Sequence, residues 1–316
     1  MFLTLFSLSY YACFTLATQA LAPAWERAVE HTPLITTHPP MTLTFVGDMM
    51  FDRYVREKAQ VKGYGGIIVE TAPLFASSTY VFGNLEGPVT TFAPVADYRD
   101  GGPNHFRFTF ATQTARVLRD YRFSVVTLNN NHITNFGMEG VAQTKEWLAR
   151  EGVGYVGAPD DPYTPWRTAT SGLEIAVYSY SMWHTKDFEL LRTSIAAEAT
   201  STLTVVLAHW GEEYETVPNA TQLARAHALV DAGADLLVGS HPHVIQRKEV
   251  YRNVPIYYSL GNFVFDQYFS SEVRCGAVVS YTHFSDGGAS TSEAFIELRK
   301  DGVTAPSACA AAVLML

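Results

Sequence analysis

Cysteine is scarce in this 316-residue chain, and its scarcity excludes two classes of protein. Only Cys13, Cys275 and Cys309 are present, far apart in the sequence. A small secreted protein held together by disulfides needs a denser cysteine pattern, and a thiolate zinc site needs closely spaced cysteine pairs. We therefore expect isolated, unpaired thiols at Cys275 and Cys309. An oxidising compartment would allow them to pair, but the sequence alone does not bring them within bonding distance.

Basic charge is also in short supply. The chain has 22 Lys and Arg residues against 31 Asp and Glu residues, a net charge of -9, and it has no basic run long enough to follow a nucleic-acid backbone. We therefore expect no nucleic-acid partner. An anionic substrate stays open, because bound cations reverse the local field of an acidic protein. The 47% content of hydrophobic residues is ample for a buried core.

Charged side chains are absent from residues 1–22, which end in the small-x-small sequence Ala20-Leu21-Ala22. Such a segment is typical of a signal peptide, and its length approaches the roughly 20 apolar residues of a membrane span. We expect an exported protein, either secreted after cleavage or anchored at the cell envelope by residues 1–22. A buried N-terminal helix is the alternative. Residues 23–40, rich in Pro and Thr, are interpreted as a linker.

From residue 41 onward, short β-rich runs alternate with helical patterns, which predicts an α/β domain with a parallel or mixed sheet. Apolar runs predict strands at residues 42–46, 79–83, 124–128, 173–179, 203–208, 236–239 and 256–260, and two more within 276–299. Helices are predicted at 54–60, 112–121, 138–151 and 220–232. The domain is thus expected to cover residues 41–300, with a C-terminal tail at 301–316.

Polar residues that can bind metal follow most of these predicted strands. In chain order they are Asp48, Glu86, Asn131 with its neighbour His132, His209, His241 with His243, and Asn262 with Asp266. The carboxyl ends of strands in an α/β sheet are where ligands bind, because the sheet holds the diverging loops rigidly. Carboxylate, amide and imidazole groups suit Mn, Fe, Zn or Mg rather than a thiophilic metal. The sequence therefore predicts a site for one or two divalent metal ions.

Six short motifs contain these residues and occur in order between about residue 42 and residue 267. They are Gly47-Asp48-Met49-Met50, Asn84-Leu85-Glu86-Gly87-Pro88, Asn130-Asn131-His132, His209-Trp210-Gly211-Glu212-Glu213-Tyr214, Gly239-Ser240-His241-Pro242-His243-Val244 and Ser259-Leu260-Gly261-Asn262-Phe263-Val264-Phe265-Asp266-Gln267. Together they resemble the poly-γ-glutamate capsule-biosynthesis protein CapA family, a branch of the calcineurin-like metallophosphatase superfamily. The resemblance implies a four-layer sandwich of two mixed β-sheets flanked by helices, with metals above the strand ends.

The resemblance also implies roles for individual residues. Six of them would bind metal: Asp48 and His243 at a first ion, Asn131, His209 and His241 at a second, and Glu86 between the two. His132 would be the general acid that protonates a leaving oxygen, a role that suits imidazole because its pKa lies near neutrality.

Two residues depart from the pattern that the resemblance implies. Met50 stands where phosphatases of this fold carry a histidine ligand, and a thioether is a poor ligand for a hard cation. Asn135 stands where the family has an aspartate, and an amide stabilises a protonated imidazole less well than a carboxylate does. The departures weaken the first metal site and the acid, respectively.

Four further residues are candidates for substrate binding or for support of the metal ligands. Arg53 and Arg107 are the cationic residues nearest to the motifs and would grip an anionic substrate. Asn262 and Asp266 either support metal ligands or form turns.

Two functions fit these features. One is an exported metal-dependent hydrolase of phosphoesterase type, acting on an anionic substrate such as poly-γ-glutamate or a phosphate ester. The other is a non-catalytic, metal-dependent polyanion-binding component of the cell envelope that works with a membrane-bound synthase complex. A carbohydrate- or peptidoglycan-binding module would explain export, but it would leave the polar strand ends without a purpose.

Overall fold

The computed structural model describes residues 39–97, 102 and 104–309. These belong to the unit His38–Leu316. The predicted signal peptide or anchor at residues 1–22 lies outside the described residues, and so does nearly all of the predicted linker. Among the residues that are described, no helix has the length and apolar character needed to cross a membrane.

The elements follow the alternation predicted from the sequence. The strands are β1 (Met41–Met49), β2 (Tyr80–Leu85), β3 (Phe123–Thr127), β4 (Gly154–Val156), β5 (Trp166–Thr170), β6 (Leu173–Ser181), β7 (Thr202–His209), β8 (Leu236–Ser240), β9 (Lys248–Tyr251), β10 (Val254–Tyr257), β11 (Asn262–Val264), β12 (Cys275–His283), β13 (Ala289–Leu298) and β14 (Thr304–Ser307). The helices are α1 (Arg53–Lys62), α2 (Gln113–Asp120), α3 (Gly137–Arg150), α4 (Phe188–Ala196), α5 (Ala220–Asp231) and α6 (Ser271–Arg274). Two 3-10 stretches, Tyr64–Ile67 and Val69–Phe75, follow α1.

The strands form two mixed sheets. The first has eight strands in the order β14-β13-β12-β1-β2-β3-β4, with β11 pairing with the end of β1. Strands β1 to β4 are parallel, whereas β12, β13 and β14 are antiparallel to their neighbours. The second sheet has six strands in the order β5-β6-β7-β8-β10-β9, and β6, β7, β8 and β10 are parallel.

Three buried apolar clusters define four layers. In β1, Leu43 and Phe45 face the cluster shared with Val177 and Val205 of the second sheet. Side chains on the other face of the first sheet pack against α1, α2 and α3, and those on the outer face of the second sheet pack against α4 and α5. The alternation along β1 is the period-2 pattern expected of a strand buried on both faces. The predicted four-layer sandwich is confirmed.

Close backbone contact explains one glycine at the strand ends. A Cβ on Gly47 would lie 1.8 Å from the carbonyl oxygen of Gly261, so no larger residue fits where β1 approaches the segment that leads into β11. This contact sets Asp48 opposite Asn262 in the register of β1 and β11. Polar residues from distant parts of the chain therefore meet at the carboxyl end of β1.

The C-terminal region differs from two expectations. Strand β14 lies within the predicted tail and pairs with β13, so the sheet extends beyond the predicted domain boundary at residue 300. The expectation of unpaired thiols is wrong, because Cys275 and Cys309 form a disulfide with a Cα–Cα distance of 5.9 Å. Strands β12, β13 and β14 run antiparallel to one another, which brings Cys309 back beside Cys275 at the start of β12. The spacing of the two cysteines in the sequence does not reveal this.

Candidate metal centre

The predicted ligands come from the carboxyl ends of five strands in both sheets. Asp48 lies near the end of β1, Glu86 directly follows β2, and Asn131 lies in the turn after β3. His209 is the last residue of β7, and the turn after β8 carries His241 and His243. The predicted ligands therefore all lie close to the carboxyl ends of strands, as expected from the sequence, and meet at one place in the fold.

Potential ligand atoms form three overlapping groups at this place. The groups are Asp48 with Glu86 and His243, Glu86 with His209 and His241, and Glu213 with His241 and His243. Within each group the ligand atoms all lie within 4.8 Å of one another. Glu86 belongs to two groups, as expected of a residue that bridges two ions. Glu213 was not predicted as a ligand.

Asn84 and the backbone hold the carboxylate of Asp48. The amide nitrogen of Asn84 donates to Asp48 Oδ1 at 2.7 Å, and the backbone N–H of His241 donates to Asp48 Oδ2 at 3.0 Å. The Asn84 side chain is itself fixed by Asn130, whose Nδ2 donates to Asn84 Oδ1 at 3.0 Å. Buried hydrogen bonds of this kind orient ligands before an ion binds.

Second contacts also orient the imidazoles. His209 Nε2 lies 2.9 Å from Asn131 Oδ1, and His209 Nδ1 lies 2.9 Å from Ser240 Oγ. His243 Nδ1 lies 2.9 Å from Asn262 Oδ1. Asn262 thus contacts the imidazole of His243, and Asn131 contacts that of His209, while the ligand roles of these residues stay predictions.

Burial shapes the electrostatics of the centre. It raises the pKa of Glu86 well above its ordinary value, and the charge of Asp48 adds to the rise. Burial also acts to raise the pKa of Asp48, but hydrogen bonding and charge from His243 outweigh it and the pKa falls. Burial lowers the pKa of His209 far below its ordinary value and that of His241 to about 4, with neighbouring imidazoles adding to both effects. Neutral imidazole is the form that ligates a metal.

These residues fit a divalent cation. Among the described residues, Glu86 Oε1 and His241 Nδ1 are buried without a hydrogen-bond partner. A buried polar atom left in this state is costly, and two buried carboxylates side by side repel each other. A cation between them removes both penalties, and oxygen and imidazole donors suit a hard or borderline metal.

His132 lies at the edge of the ligand set. Its Nε2 is 3.9 Å from Glu86 Oε1, and its Nδ1 is 3.2 Å from Asn135 Oδ1. Since Asn135 Oδ1 also accepts a hydrogen bond from the backbone N–H of Phe108, the ring donates through Nδ1 and turns Nε2 toward the centre. Burial lowers the pKa of His132 to about 4. The role of general acid stays a prediction. Asn135, which stands where the resemblance implies an aspartate, contacts the imidazole ring of His132.

Met50 is a fully buried core residue. Its side chain belongs to the cluster between the first sheet and the helices, and its sulfur accepts a hydrogen bond from the backbone N–H of Asp52 at 3.0 Å. The buried candidate ligands for a first ion are therefore Asp48, Glu86 and His243, without Met50.

The two candidate arginines differ in position. Arg53 is buried, and its guanidinium pairs with Asp266 and lies 2.9 Å from His105 Nε2. Asp266 therefore anchors Arg53 rather than a metal ligand. Arg107 instead lies over the ring of Phe136, 4.6 Å from its centroid, and donates to the backbone oxygen of Asn135.

The chain matches one bacterial protein family over most of its length. The profile of the bacterial capsule synthesis protein family PGA_cap matches residues 42–267. The chain belongs to the PGA_cap family. It is 33% identical over 285 residues to the PGA biosynthesis protein CapA of Bacillus subtilis (strain 168), which covers 84% of this chain and 73% of that protein. It is also 33% identical over 293 residues to the capsule biosynthesis protein CapA of Bacillus anthracis, covering 86% and 68%.

A solved structure confirms the fold type. The crystal structure of a novel phosphatase from Mycoplasma pneumoniae superposes with a TM-score of 0.52 at 12% identity, covering 82% of this PGA_cap chain and 94% of that chain. The likeness shows a shared fold alone. The family resemblance is confirmed by the profile match, and the fold expected from the motifs is shared with that phosphatase.

Two features beside the centre of this PGA_cap chain escaped sequence reasoning. Trp183 follows β6 and packs on the imidazoles, with its ring centroid 4.6 Å from that of His241 and 5.4 Å from that of His209. A cavity of about 540 Å³ also opens next to His243, whose ring centroid is 6.2 Å from that of Tyr214 in the cavity wall. The sequence does not single out Trp183, because tryptophan is not a metal ligand. Its position just after β6, like that of the predicted ligands after their strands, is the feature that indicates a place near the centre.

Proposed function

We propose that this PGA_cap chain is a metal-dependent component of poly-γ-glutamate capsule synthesis or export, and that its metal centre is a hydrolase site. The observation that carries the proposal is the convergence of two buried carboxylates and three buried imidazoles from both sheets, with Glu86 Oε1 and His241 Nδ1 lacking hydrogen-bond partners among the described residues. The relatives named for PGA and capsule biosynthesis support the biological role.

The residues divide the work between two ions. Asp48 and His243 would hold one ion, His209, His241 and Asn131 the other, and Glu86 both. When bound, a divalent cation supplies a Lewis acid that withdraws electron density from a phosphoryl or carbonyl oxygen. Asn84 and Asn262 keep Asp48 and His243 in position, which limits the reorganisation needed during a reaction.

His132 is placed to move a proton. Its Nδ1 is occupied by Asn135, so Nε2 is the atom that exchanges a proton with a group bound at the centre. Phe108 packs against the imidazole with a centroid distance of 4.5 Å and limits its access to water.

The cavity beside His243 suits an anionic polymer chain. Its wall contains the ion pair of Arg53 with Asp266, the residue Lys300 and the exposed rings of Phe106 and Phe269. Lys300 provides positive charge for carboxylates, and the rings provide contact area for a methylene backbone. We therefore propose a polycarboxylate such as poly-γ-glutamate as the substrate, with a membrane-bound synthase complex as the partner.

We also propose that the protein is exported. Disulfides persist in oxidising compartments outside the cytosol, and the Cys275–Cys309 bond supports such a location. The uncharged segment at residues 1–22 supports the same assignment.

Turnover by the metal-loaded protein tests the hydrolase proposal. Protein loaded with Mn²⁺ should shorten poly-γ-glutamate, measured by size-exclusion chromatography, or release phosphate from a chromogenic ester. His209→Ala should abolish this activity. His227→Ala is the matched control, because His227 stacks on Tyr251 and bonds to Glu249 away from the centre. Full metal occupancy without turnover of either substrate would argue against a hydrolase.

Met50 and Asn135 favour a second candidate, a metal-dependent polyanion-binding protein without catalysis. Complementation of a deletion strain separates the two functions. If capsule polymer returns with His132→Ala but not with Asp48→Ala, binding through the metal is sufficient. If neither variant restores the polymer, the hydrolase is favoured.

A further inference from the structure

Glu213 brings a third carboxylate to the metal centre from the solvent side. One of its carboxylate oxygens forms a group with a ring nitrogen of His241 and one of His243, all within 4.8 Å of one another. Glu213 is exposed, whereas His241 and His243 are buried. The carboxylate thus lies over the outer face of a centre whose other acidic residues, Asp48 and Glu86, lie beneath it.

The loop after β7 is tied to the loop that carries the histidines. The chain turns at Gly211, which has a φ of 91°, and Tyr214 adopts a left-handed φ of 67°. The backbone N–H of Tyr214 donates to the carbonyl oxygen of Pro242 at 2.8 Å, and Pro242 lies between the two histidines. Glu213 is therefore attached, through its neighbour, to the segment whose imidazoles it faces.

An unsatisfied atom at this place indicates a bound ligand. His241 is 5% exposed, and its Nδ1 has no hydrogen-bond partner among the described residues. The imidazoles of His241 and His243 and the carboxylate of Glu213 together form a donor set for a divalent cation.

The buried residues alone offer few ligands to an ion at His243. Asp48, Glu86 and His243 form a group of three, whereas a divalent cation takes about four to six ligands. We propose that Glu213 is an additional ligand to the ion held by His243. This inference rests on the proposed metal centre.

The neighbouring residue provides a matched control. Glu212 is also exposed and carries the same charge, but it lines a different small cavity together with Trp210, Asn219 and Arg225. Glu212→Gln and Glu213→Gln change net charge equally, so a difference between them reports a local contact with the ion rather than long-range attraction.

Equilibrium dialysis against Mn²⁺, followed by elemental analysis of the full-length protein, tests the inference. Glu213→Gln should weaken Mn²⁺ binding at the more weakly held ion by about 10-fold or more, since even the loss of a residue that only supports a metal ligand typically costs about 10-fold to 100-fold. Glu212→Gln should match the wild type. The Mn²⁺-induced rise in melting temperature should shrink in Glu213→Gln, while the melting temperature in EDTA should stay at the wild-type value, which separates metal binding from folding.

The outcomes distinguish this inference from the proposal beneath it. If the wild type retains manganese and both glutamine variants retain it equally well, Glu213 is not a ligand, although the metal centre stands. If the wild type binds no Mn²⁺, the proposed metal centre fails and the role of Glu213 fails with it.

Discussion

Reduction of the Cys275–Cys309 disulfide should cost this protein much of its stability. The bond joins residues 34 apart in sequence, and the loop that it closes contains β12, β13 and β14. Closing a loop of this length removes chain entropy from the unfolded state, and the loop-entropy relation gives about 4 kcal/mol at 25 °C. Since the net stability of a folded domain is only about 5–15 kcal/mol, this is a large fraction of the total. The strand contacts themselves remain, so the reduced protein should stay folded in buffer.

Urea unfolding of the full chain, followed by tryptophan fluorescence with and without reductant, measures the effect. The midpoint should move to lower urea on reduction, and the slope should rise somewhat because the unfolded chain exposes more surface without the cross-link. Thiol titration in denaturant should find two more free thiols after reduction than before it. The Cys275→Ala, Cys309→Ala double variant should not respond to reductant. Equal midpoints for the oxidised and reduced wild type would refute the reasoning.

Three further predictions concern the site and its supports. Arg53→Met should strand the buried Asp266 carboxylate and lower the free energy of unfolding at pH 7 by about 3–5 kcal/mol. Burial raises the pKa of Asp266, and Arg53 opposes the rise. Without Arg53 the pKa should increase further, so the loss in free energy of unfolding should shrink on acidification as Asp266 takes up a proton. Urea titrations at several pH values would show this. Gly47→Ala should cost about 1–3 kcal/mol or more, because its Cβ would collide with the Gly261 carbonyl, and a thermal melt checks this. Mn²⁺ at about 100 times its Kd should stabilise the wild type by about 2.7 kcal/mol but not His209→Ala, measured by calorimetry.

The parts of the site that follow from local sequence were predictable. Asp48, His209 and His241 each come at or after an apolar run, and such a run predicts both a strand and the position of its end. Parallel strands align their carboxyl ends, which brings His209 and His241 together in the second sheet, whereas the approach of Asp48 depends on how the two sheets pack.

The remaining features depend on contacts between distant segments. Glu213 is a charged residue in a polar loop, and only its proximity to His241 distinguishes it from its neighbour Glu212. Asn84 lies in a predicted motif, but its contact with Asp48 depends on the register of β1 and β2. The short strand β14 contains Pro306 and has no apolar alternation that would separate it from a tail.

The position of β12 affects whether the segment matched by the PGA_cap profile, residues 42–267, can fold alone. The PGA_cap match ends at residue 267, yet β12 begins at Cys275 and pairs with β1 over the residues from Met41 to Phe45. Without residues 268–309, β1 would become an edge strand with open backbone groups along most of its length. We therefore expect that the segment that carries the predicted ligands does not fold alone, because β12 covers the open edge of the strand that contains Asp48.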